Sequence, residues 1–270
     1  MARIVAVDRA EDPRLDEFRD LTVADRRPDR PGGRGLVIAE GTVVVRRLLD
    51  SPHPPRSVLG VALRLDELAT DLARCDVPCY RVSANLMAEV VGFHLNRGVL
   101  ATADRCAPPA VTALLASAHR VAVLEGVNDH ENLGSLFRNA AAFGVDAVLL
   151  GARCADPLYR RSVRVSMGHV LRVPFAPLPA WPGSLGDLRA AGFRIAALTP
   201  RPDAVPLAAA GLGRGRVAVL VGAEGPGLTD AALAAADVAV RIPMAAGVDS
   251  LNVATAAAIA FHEAGSRGLP

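Results

Sequence analysis

The chain contains no lysine, so all 30 of its basic residues are arginine. The 28 acidic residues reduce the formal net charge to +2, which excludes a polycation that binds its partners through bulk charge. The exclusive use of arginine fits the coding bias of a GC-rich genome. It also has a physical consequence, because a guanidinium group binds phosphate bidentately and stacks on bases.

Other absences narrow the class of protein. No apolar run is long enough to span a membrane, and residues 1–9 lack the hydrophobic stretch of a signal peptide, so we expect a cytoplasmic protein. The four cysteines include no C-x-x-C pair, and the six histidines show no metal-ligand spacing. This predicts reduced structural thiols and no metal site. Aromatic residues make up only 4% of the chain, so no base-stacking platform is evident.

The first part of the chain predicts a small α/β layer. Hydrophobic residues make up 51% of the sequence, which is enough for a sizeable core, and 270 residues suit one large or two ordinary domains. Residues 1–33 are polar and proline-rich and predict a short helix at 12–21 and then a loop. The following pattern predicts strands at 36–41, 57–63, 79–82 and 99–102 and helices at 42–49, 65–75 and 85–91.

The second part predicts a mostly parallel sheet. Residues 103–109 have the composition of a linker. Beyond them, strand patterns at 120–124, 147–150, 193–198 and 217–221 alternate with helical patterns at 133–143, 159–166, 229–236 and 250–265. Short apolar strands separated by helices are typical of parallel sheets that are covered on both faces.

Three short segments of this second part stand in a fixed order. They are residues 128–144 (NDHENLGSLFRNAAAFG), 220–228 (LVGAEGPGL) and 242–254 (IPMAAGVDSLNVA). Together they resemble the three signature motifs of the SpoU (TrmH) branch of the SPOUT methyltransferases. The resemblance implies an enzyme that methylates a ribose 2′-hydroxyl in rRNA or tRNA with S-adenosylmethionine. It also implies a C-terminal SPOUT domain with a deep trefoil knot, and a homodimer formed through that domain.

The family's functional residues carry over to matching positions. The resemblance implies a catalytic set of Asn132, Arg138, Glu224, Ser250 and Asn252. It implies cofactor contacts at Leu198, Thr199, Gly222, Glu224, Gly225, Ile242, Met244, Ser250, Leu251 and Ala254. In the homodimer, Asn132 and Arg138 are expected to face the partner's cofactor. The residue before the motif asparagine is histidine in several relatives and Glu131 here, so the role of that position stays open.

The same residues also have structural interpretations. An arginine beside Phe137 is costly to bury alone, so Arg138 could be a buried residue paired with Glu224 or Glu131. The glycines of the second segment could form only a tight turn, although close backbone approach and positive φ explain three glycines better. Ser250 suits a helix N-cap, which leaves Asn252 within the first turn without a structural reason. Because arginine stays protonated, Arg138 is favoured as a phosphate clamp and alkoxide stabiliser over a general base.

RNA binding is predicted at two places. Arg153, Arg160, Arg161 and Arg164 lie in a stretch with a single acid, Asp156, and form either a solvated helix face or a phosphate-contacting patch. The pattern around residues 36–49 resembles the ribosomal protein L30e-like domain that precedes many SpoU catalytic domains. We therefore predict an L30e-like RNA substrate-binding domain at 1–106, with 1–33 as an arm, and the SPOUT methyltransferase domain at 107–270. The alternative is an N-terminal packing domain that does not contact RNA.

Three other functions fit the sequence less well. The glycine-rich residues 211–215 precede a strand, whereas a dinucleotide-binding fingerprint follows one, which disfavours a Rossmann enzyme. A SPOUT enzyme that methylates a base nitrogen uses a different set of residues. A non-catalytic RNA-binding or assembly factor with the same fold is disfavoured because all three motifs are intact.

Overall fold

The computed structural model describes residues 3–21 and 35–265, which form two compact units. The first unit comprises Met1–Ala107 and Asp156–Arg172, and the second comprises Pro108–Ala155 and Val173–Pro270. Most of the loop predicted within residues 1–33 lies outside the described residues. The assignment of 1–106 to RNA binding and 107–270 to methyl transfer stays a prediction.

The first unit is built on a five-stranded mixed sheet in the order β1-β4-β3-β5-β2. The strands are β1 (Arg3–Ala6), β2 (Leu36–Glu40), β3 (Pro55–Gly60), β4 (Pro78–Arg81) and β5 (Val99–Asp104). The helices are α1 (Thr42–Leu49), α2 (Ala62–Glu67), α3 (Ala69–Leu72), α4 (Ala84–Val91) and, from the later segment, α7 (Arg160–Val165). Strand β4 is parallel to β1 and β3, whereas β5 is antiparallel to β3 and β2.

Several predictions for this unit are corrected. The helix predicted at 12–21 is only a 3₁₀ turn, Pro13–Phe18, because the backbone N–H groups of Asp20 and Leu21 donate to the carbonyls of α4 instead. Strand β1 escaped prediction because most of its residues are exposed and it shows no buried run. The helix predicted at 65–75 is two short helices, α2 and α3. The helix predicted at 42–49 is confirmed.

The second unit contains a seven-stranded, entirely parallel sheet in the order β10-β12-β9-β11-β6-β7-β8. Its strands are β6 (Arg120–Leu124), β7 (Ala147–Leu150), β8 (Phe175–Pro177), β9 (Phe193–Leu198), β10 (Val205–Pro206), β11 (Arg216–Val221) and β12 (Val238–Arg241). Its helices are α5 (Val111–Ser117), α6 (His130–Ala142), α8 (Leu185–Ala190), α9 (Asp230–Ala234) and α10 (Val253–Gly265). The predicted parallel sheet is confirmed.

The core of the second unit explains which elements were predicted well. Strands β6, β7 and β9 match their predicted bounds because each is a mostly apolar and mostly buried run, with residues such as Val123, Leu149 and Ile195 in the core. Strand β11 comes late in the chain but lies between β9 and β6. The trefoil knot stays a prediction of the resemblance. Within the described ranges, no helix is both long and apolar enough to cross a membrane.

Candidate active site

A cavity of about 410 Å³ opens in the second unit at the carboxyl ends of three neighbouring strands. Leu198 ends β9, Val221 ends β11, and Val240 lies near the end of β12, and all three line the cavity. Ligands of parallel α/β sheets bind at this edge, and the volume suits a small-molecule cofactor.

Nine of the ten predicted cofactor residues line this cavity: Leu198, Thr199, Gly222, Glu224, Gly225, Ile242, Met244, Ser250 and Leu251. Ala254 does not. Its carbonyl accepts a hydrogen bond from Asn139 of α6, and it is buried, so it belongs to the packing of α10 on α6. Lining residues that the sequence did not indicate include Arg201, Ala223, Leu233, Val253 and Ala256. The position of strand ends could have suggested Val221 and Val240.

The glycine-rich second segment folds back on itself beside the cavity. A Cβ atom on Gly222 would lie 2.4 Å from the carbonyl carbon of Gly227, so no side chain fits there. Gly225 and Gly227 have positive φ angles of 85° and 71°. The N–H of Gly227 donates to the carbonyl of Ala223 at 3.0 Å. Close approach and positive φ therefore both act at this loop, as three glycines indicated.

A chain of side-chain hydrogen bonds joins the three sequence segments. Asn252 Nδ2 donates to Asn132 Oδ1 at 2.8 Å. Asn132 Nδ2 in turn donates to Glu224 Oε2, also at 2.8 Å. One residue from each segment therefore takes part, and Glu224 and Asn252 both line the cavity. Asn132 contacts these residues of its own chain.

Helix α10 is capped by Asn252, whereas the sequence pattern predicted Ser250 as its N-cap. The side-chain oxygen of Asn252 accepts from the N–H groups of Ala254 and Thr255 at 3.0 and 3.2 Å, and α10 begins at Val253. Asn252 is therefore the N-cap, and the helix predicted from residue 250 starts three residues later. Ser250 is exposed and lines the cavity.

Helix α6 presents the residues of the first segment in different directions. Asp129 caps it, with its side chain accepting from the N–H groups of Glu131 and Asn132 at 3.0 and 2.8 Å. Arg138 is exposed, and it makes no hydrogen bond or ion pair with any residue in the described ranges. The alternative of a buried arginine paired with Glu224 or Glu131 is therefore wrong.

The arginines predicted to bind RNA fall into two groups. In the first unit, Arg160 and Arg164 of α7 lie 3.1 and 3.8 Å from the buried carboxylate of Glu40. Burial lowers the pKa of Arg160, whose guanidinium also stacks over Phe93 at 4.9 Å. In the second unit, Arg153 is exposed, has a positive φ of 59° and has no partner among the described residues. Arg161 is exposed on α7.

The cysteines are consistent with structural thiols. All four are free, and burial raises the pKa of Cys79 to about 11. Burial also raises the pKa of Cys154, whose thiol donates to the carbonyl of Leu124 at 3.3 Å. Protonated, buried thiols of this kind are poor nucleophiles.

Comparison with known proteins agrees with the geometry. Residues 119–262 match the model of the SpoU rRNA Methylase family. The chain is 60% identical over 255 residues to an uncharacterized tRNA/rRNA methyltransferase of Mycobacterium tuberculosis, covering 94% of this chain and 88% of that protein. It is 29% identical over 231 residues to the 23S rRNA (guanosine(2553)-2'-O)-methyltransferase RlmP of Bacillus subtilis, covering 83% and 86% of the two chains.

A solved structure gives the same result for the fold. The AdoMet-bound rRNA methyltransferase from Sinorhizobium meliloti matches with a TM-score of 0.80 at 25% identity, and the match covers 99% of each chain. The predicted fold class, a mixed α/β protein with a mostly parallel sheet, is thereby confirmed. The three motifs, the cavity they line and these similarities lead to one conclusion: the chain belongs to the SpoU rRNA methylase family.

Proposed function

We propose that this protein transfers a methyl group from S-adenosylmethionine to a ribose 2′-hydroxyl of rRNA or tRNA in the cytoplasm. The observation that carries the proposal is the hydrogen-bond chain from Asn252 through Asn132 to Glu224, because it joins all three motifs beside one cavity. The name of the Bacillus subtilis relative, a 23S rRNA guanosine 2′-O-methyltransferase, supports the same reaction.

The cavity suits S-adenosylmethionine. The glycine loop lines it, and the lack of a side chain at Gly222 lets the backbone of residues 227 and 228 pack against that residue. Leu198, Ile242 and Leu251 add apolar walls that suit an adenine ring. When bound, this cofactor supplies an electrophilic methyl group.

The polar residues of the cavity orient the acceptor. Glu224 fixes the amide of Asn132, and Asn132 fixes the amide of Asn252, so both asparagines are held in single orientations. Ser250 lines the same cavity, and its hydroxyl, which makes no hydrogen bond within the described residues, can bind the ribose. A hydroxyl held in line with the methyl group gains most of its reactivity from this placement.

Arg138 is proposed to stabilise the negative charge that develops on the ribose oxygen and to contact the adjacent phosphate. It remains protonated, so it acts as a charge and not as a base. It lies six positions after Asn132, which turns it about 240° around α6, away from the chain's own cavity. We therefore propose that Arg138 serves the cofactor site of a second copy.

A homodimer through the second unit follows from this arrangement. Two large apolar side chains of this unit that do not line the cavity are exposed, namely Val248 (49%) in the third motif and Ile259 (38%) in α10. We propose that a second copy covers them. The first unit is proposed to bind the RNA substrate, and the unpartnered Arg153 of the second unit is proposed to contact a phosphate.

The experiment is a labelling assay on RNA that lacks the modification. The protein is incubated with methyl-labelled S-adenosylmethionine and total RNA from a strain without this gene, and rRNA and tRNA are then separated and digested with alkali. Label in an alkali-resistant dinucleotide is expected, and it identifies the RNA class. Label confined to mononucleotides would indicate base methylation, and no label in either RNA would favour the non-catalytic RNA-binding factor.

A further inference from the structure

Glu125 carries a buried carboxylate that the proposed reaction does not use. It follows β6 directly, at the edge of the sheet where the cavity lies, and only 1% of its surface is exposed. Among the residues that the structure describes, no arginine or histidine pairs with it. A carboxylate is costly to bury unless hydrogen bonds satisfy its oxygens, so its position requires an explanation.

Three donors satisfy this carboxylate. The indole N–H of Trp181 donates to Oε1 at 2.6 Å. The hydroxyl of Thr229 donates to the same oxygen at 2.9 Å, and the backbone N–H of Thr229 donates to Oε2 at 2.9 Å. The Thr229 hydroxyl also accepts from the N–H of Ala232 at 3.2 Å, so the network includes the N-cap of α9.

Glu125 holds both ends of the glycine-rich loop. Its backbone N–H donates at 2.9 Å to the carbonyl of Val221, the last residue of β11. Its side chain binds Thr229, which follows Leu228. The loop of residues 222–228 is therefore closed at its base by a single residue. Neither Glu125 nor Trp181 nor Thr229 lines the cavity, so any influence on a ligand must pass through the shape of this loop.

We propose that Glu125 is a positioning residue that holds the 222–228 loop in the conformation that binds the cofactor. The backbone of this loop has little room to move, because Gly222 lies against Gly227 without space for a methyl group. A shift at Thr229 is therefore transmitted to the cofactor-facing backbone. This inference rests on the proposed use of S-adenosylmethionine.

The test is Glu125→Gln, which keeps the shape of the side chain but replaces one acceptor oxygen with an NH₂ group. The amide cannot accept from all three donors, and we expect the Kd for S-adenosylmethionine, measured by calorimetry without RNA, to rise about tenfold. Trp181 is the only tryptophan of the chain, so a change in its fluorescence reports directly whether its hydrogen bond to residue 125 is lost.

Asp237→Asn is the matched control. The carboxylate of Asp237 accepts from the backbone N–H of Ile195 and from Arg189, both at 2.8 Å, in the same unit but outside the cavity. We expect it to lower the melting temperature while the Kd stays within about twofold of wild type, because a contact remote from a site acts on it weakly.

Two outcomes distinguish the inference from the function on which it rests. If the wild-type chain binds and Glu125→Gln binds equally well, the role of Glu125 is wrong while the proposed function stands. If the wild-type chain does not bind S-adenosylmethionine, the proposed function fails and the inference fails with it. Should Glu125→Gln not fold, Trp181→Phe removes one donor at a site remote from the cofactor. A rise of about threefold in Kd would then support the inference, and an unchanged Kd would contradict it.

Discussion

At position 222 the backbone of the second motif passes so close to residues 227 and 228 that a Cβ atom would lie 2.4 Å from both. We expect Gly222→Ala to displace the loop, to abolish measurable cofactor binding and to cost about 1–3 kcal/mol of stability. Gly186→Ala is the control, since Gly186 lies in α8 with open space around it and alanine favours a helix. Calorimetry and thermal unfolding check both variants, and cofactor binding by Gly222→Ala at wild-type strength would contradict the expectation.

Arg138 provides a second prediction for a single residue. It is exposed and unpaired among the described residues, so its removal should leave the fold and the cofactor cavity intact. We expect Arg138→Ala to lower the rate of methyl transfer about 100-fold, the usual effect of losing one group that stabilises transition-state charge, with an unchanged Kd for S-adenosylmethionine. Single-turnover assays and calorimetry separate the two effects. Equal losses in both would mean that Arg138 maintains structure instead.

The sequence predicted which residues lie together better than their local roles. Nine of the ten residues that the resemblance assigns to the cofactor line one cavity, and their contact with the cofactor stays a prediction. The sequence pattern predicted Ser250 as the cap of α10, whereas Asn252 caps it, because both residue types cap helices and the choice depends on where the chain leaves the sheet. The side chain of Asn252 serves both purposes: its oxygen caps the helix, and its nitrogen binds Asn132.

The arginines between residues 153 and 164 divide according to the element that carries them. On α7, Arg160 pairs with the buried Glu40 of β2, so Arg160→Met should cost about 1–3 kcal/mol by leaving that carboxylate short of a donor. Arg153 lies in a loop without a partner among the described residues, so Arg153→Met should change stability by less than about 0.5 kcal/mol. Thermal unfolding checks this difference.

RNA affinity should give the complementary result for Arg153. If its guanidinium contacts a phosphate, Arg153→Met should weaken RNA binding and reduce the slope of log affinity against log salt by about one. Filter binding over a salt series provides the measurement. A normal slope would remove Arg153 from the RNA interface and leave the solvated-surface interpretation.

Helices and strands were predicted well where most of their residues are buried. Strands β6, β7 and β9 are apolar apart from Arg120 and Arg194, and their bounds were predicted correctly. Elements whose form depends on distant partners were missed. Strand β1 is mostly exposed and exists through its pairing with β4, and residues 12–21 lost their helix to hydrogen bonds with α4. A local sequence pattern carries no information about hydrogen-bond partners that lie far away in the chain.

At the scale of the whole molecule, the three motifs lie far apart in the chain and meet only in the folded state. The parallel sheet brings the carboxyl ends of β9, β11 and β12 to one edge, and α6 and α10 pack together beside it.

If Arg138 acts on the partner's cofactor, two inactive variants should complement each other. A mixture of Arg138→Ala and Asn252→Asp subunits should recover about a quarter of wild-type activity after exchange, because half of the dimers are mixed and each has one intact site.

That complementation also tests the homodimer. Light scattering at micromolar concentration should give the mass of two chains, and the recovery should require subunit exchange. A monomer in solution, or no recovery by an exchanged mixture, would assign Arg138 to its own chain or to another role.

We propose that the hydrogen bonds from Asn252 through Asn132 to Glu224 organise the site where a ribose hydroxyl is methylated. Asn252→Asp isolates it, because aspartate can still cap α10 but cannot donate to Asn132. The most direct measurement is the single-turnover rate of label transfer into alkali-resistant dinucleotides, with wild type and Asn252→Asp compared at saturating cofactor. We predict a rate about 100-fold lower, as misplaced reacting groups produce, with unchanged melting temperature. A variant that methylates ribose at the wild-type rate would contradict the claim.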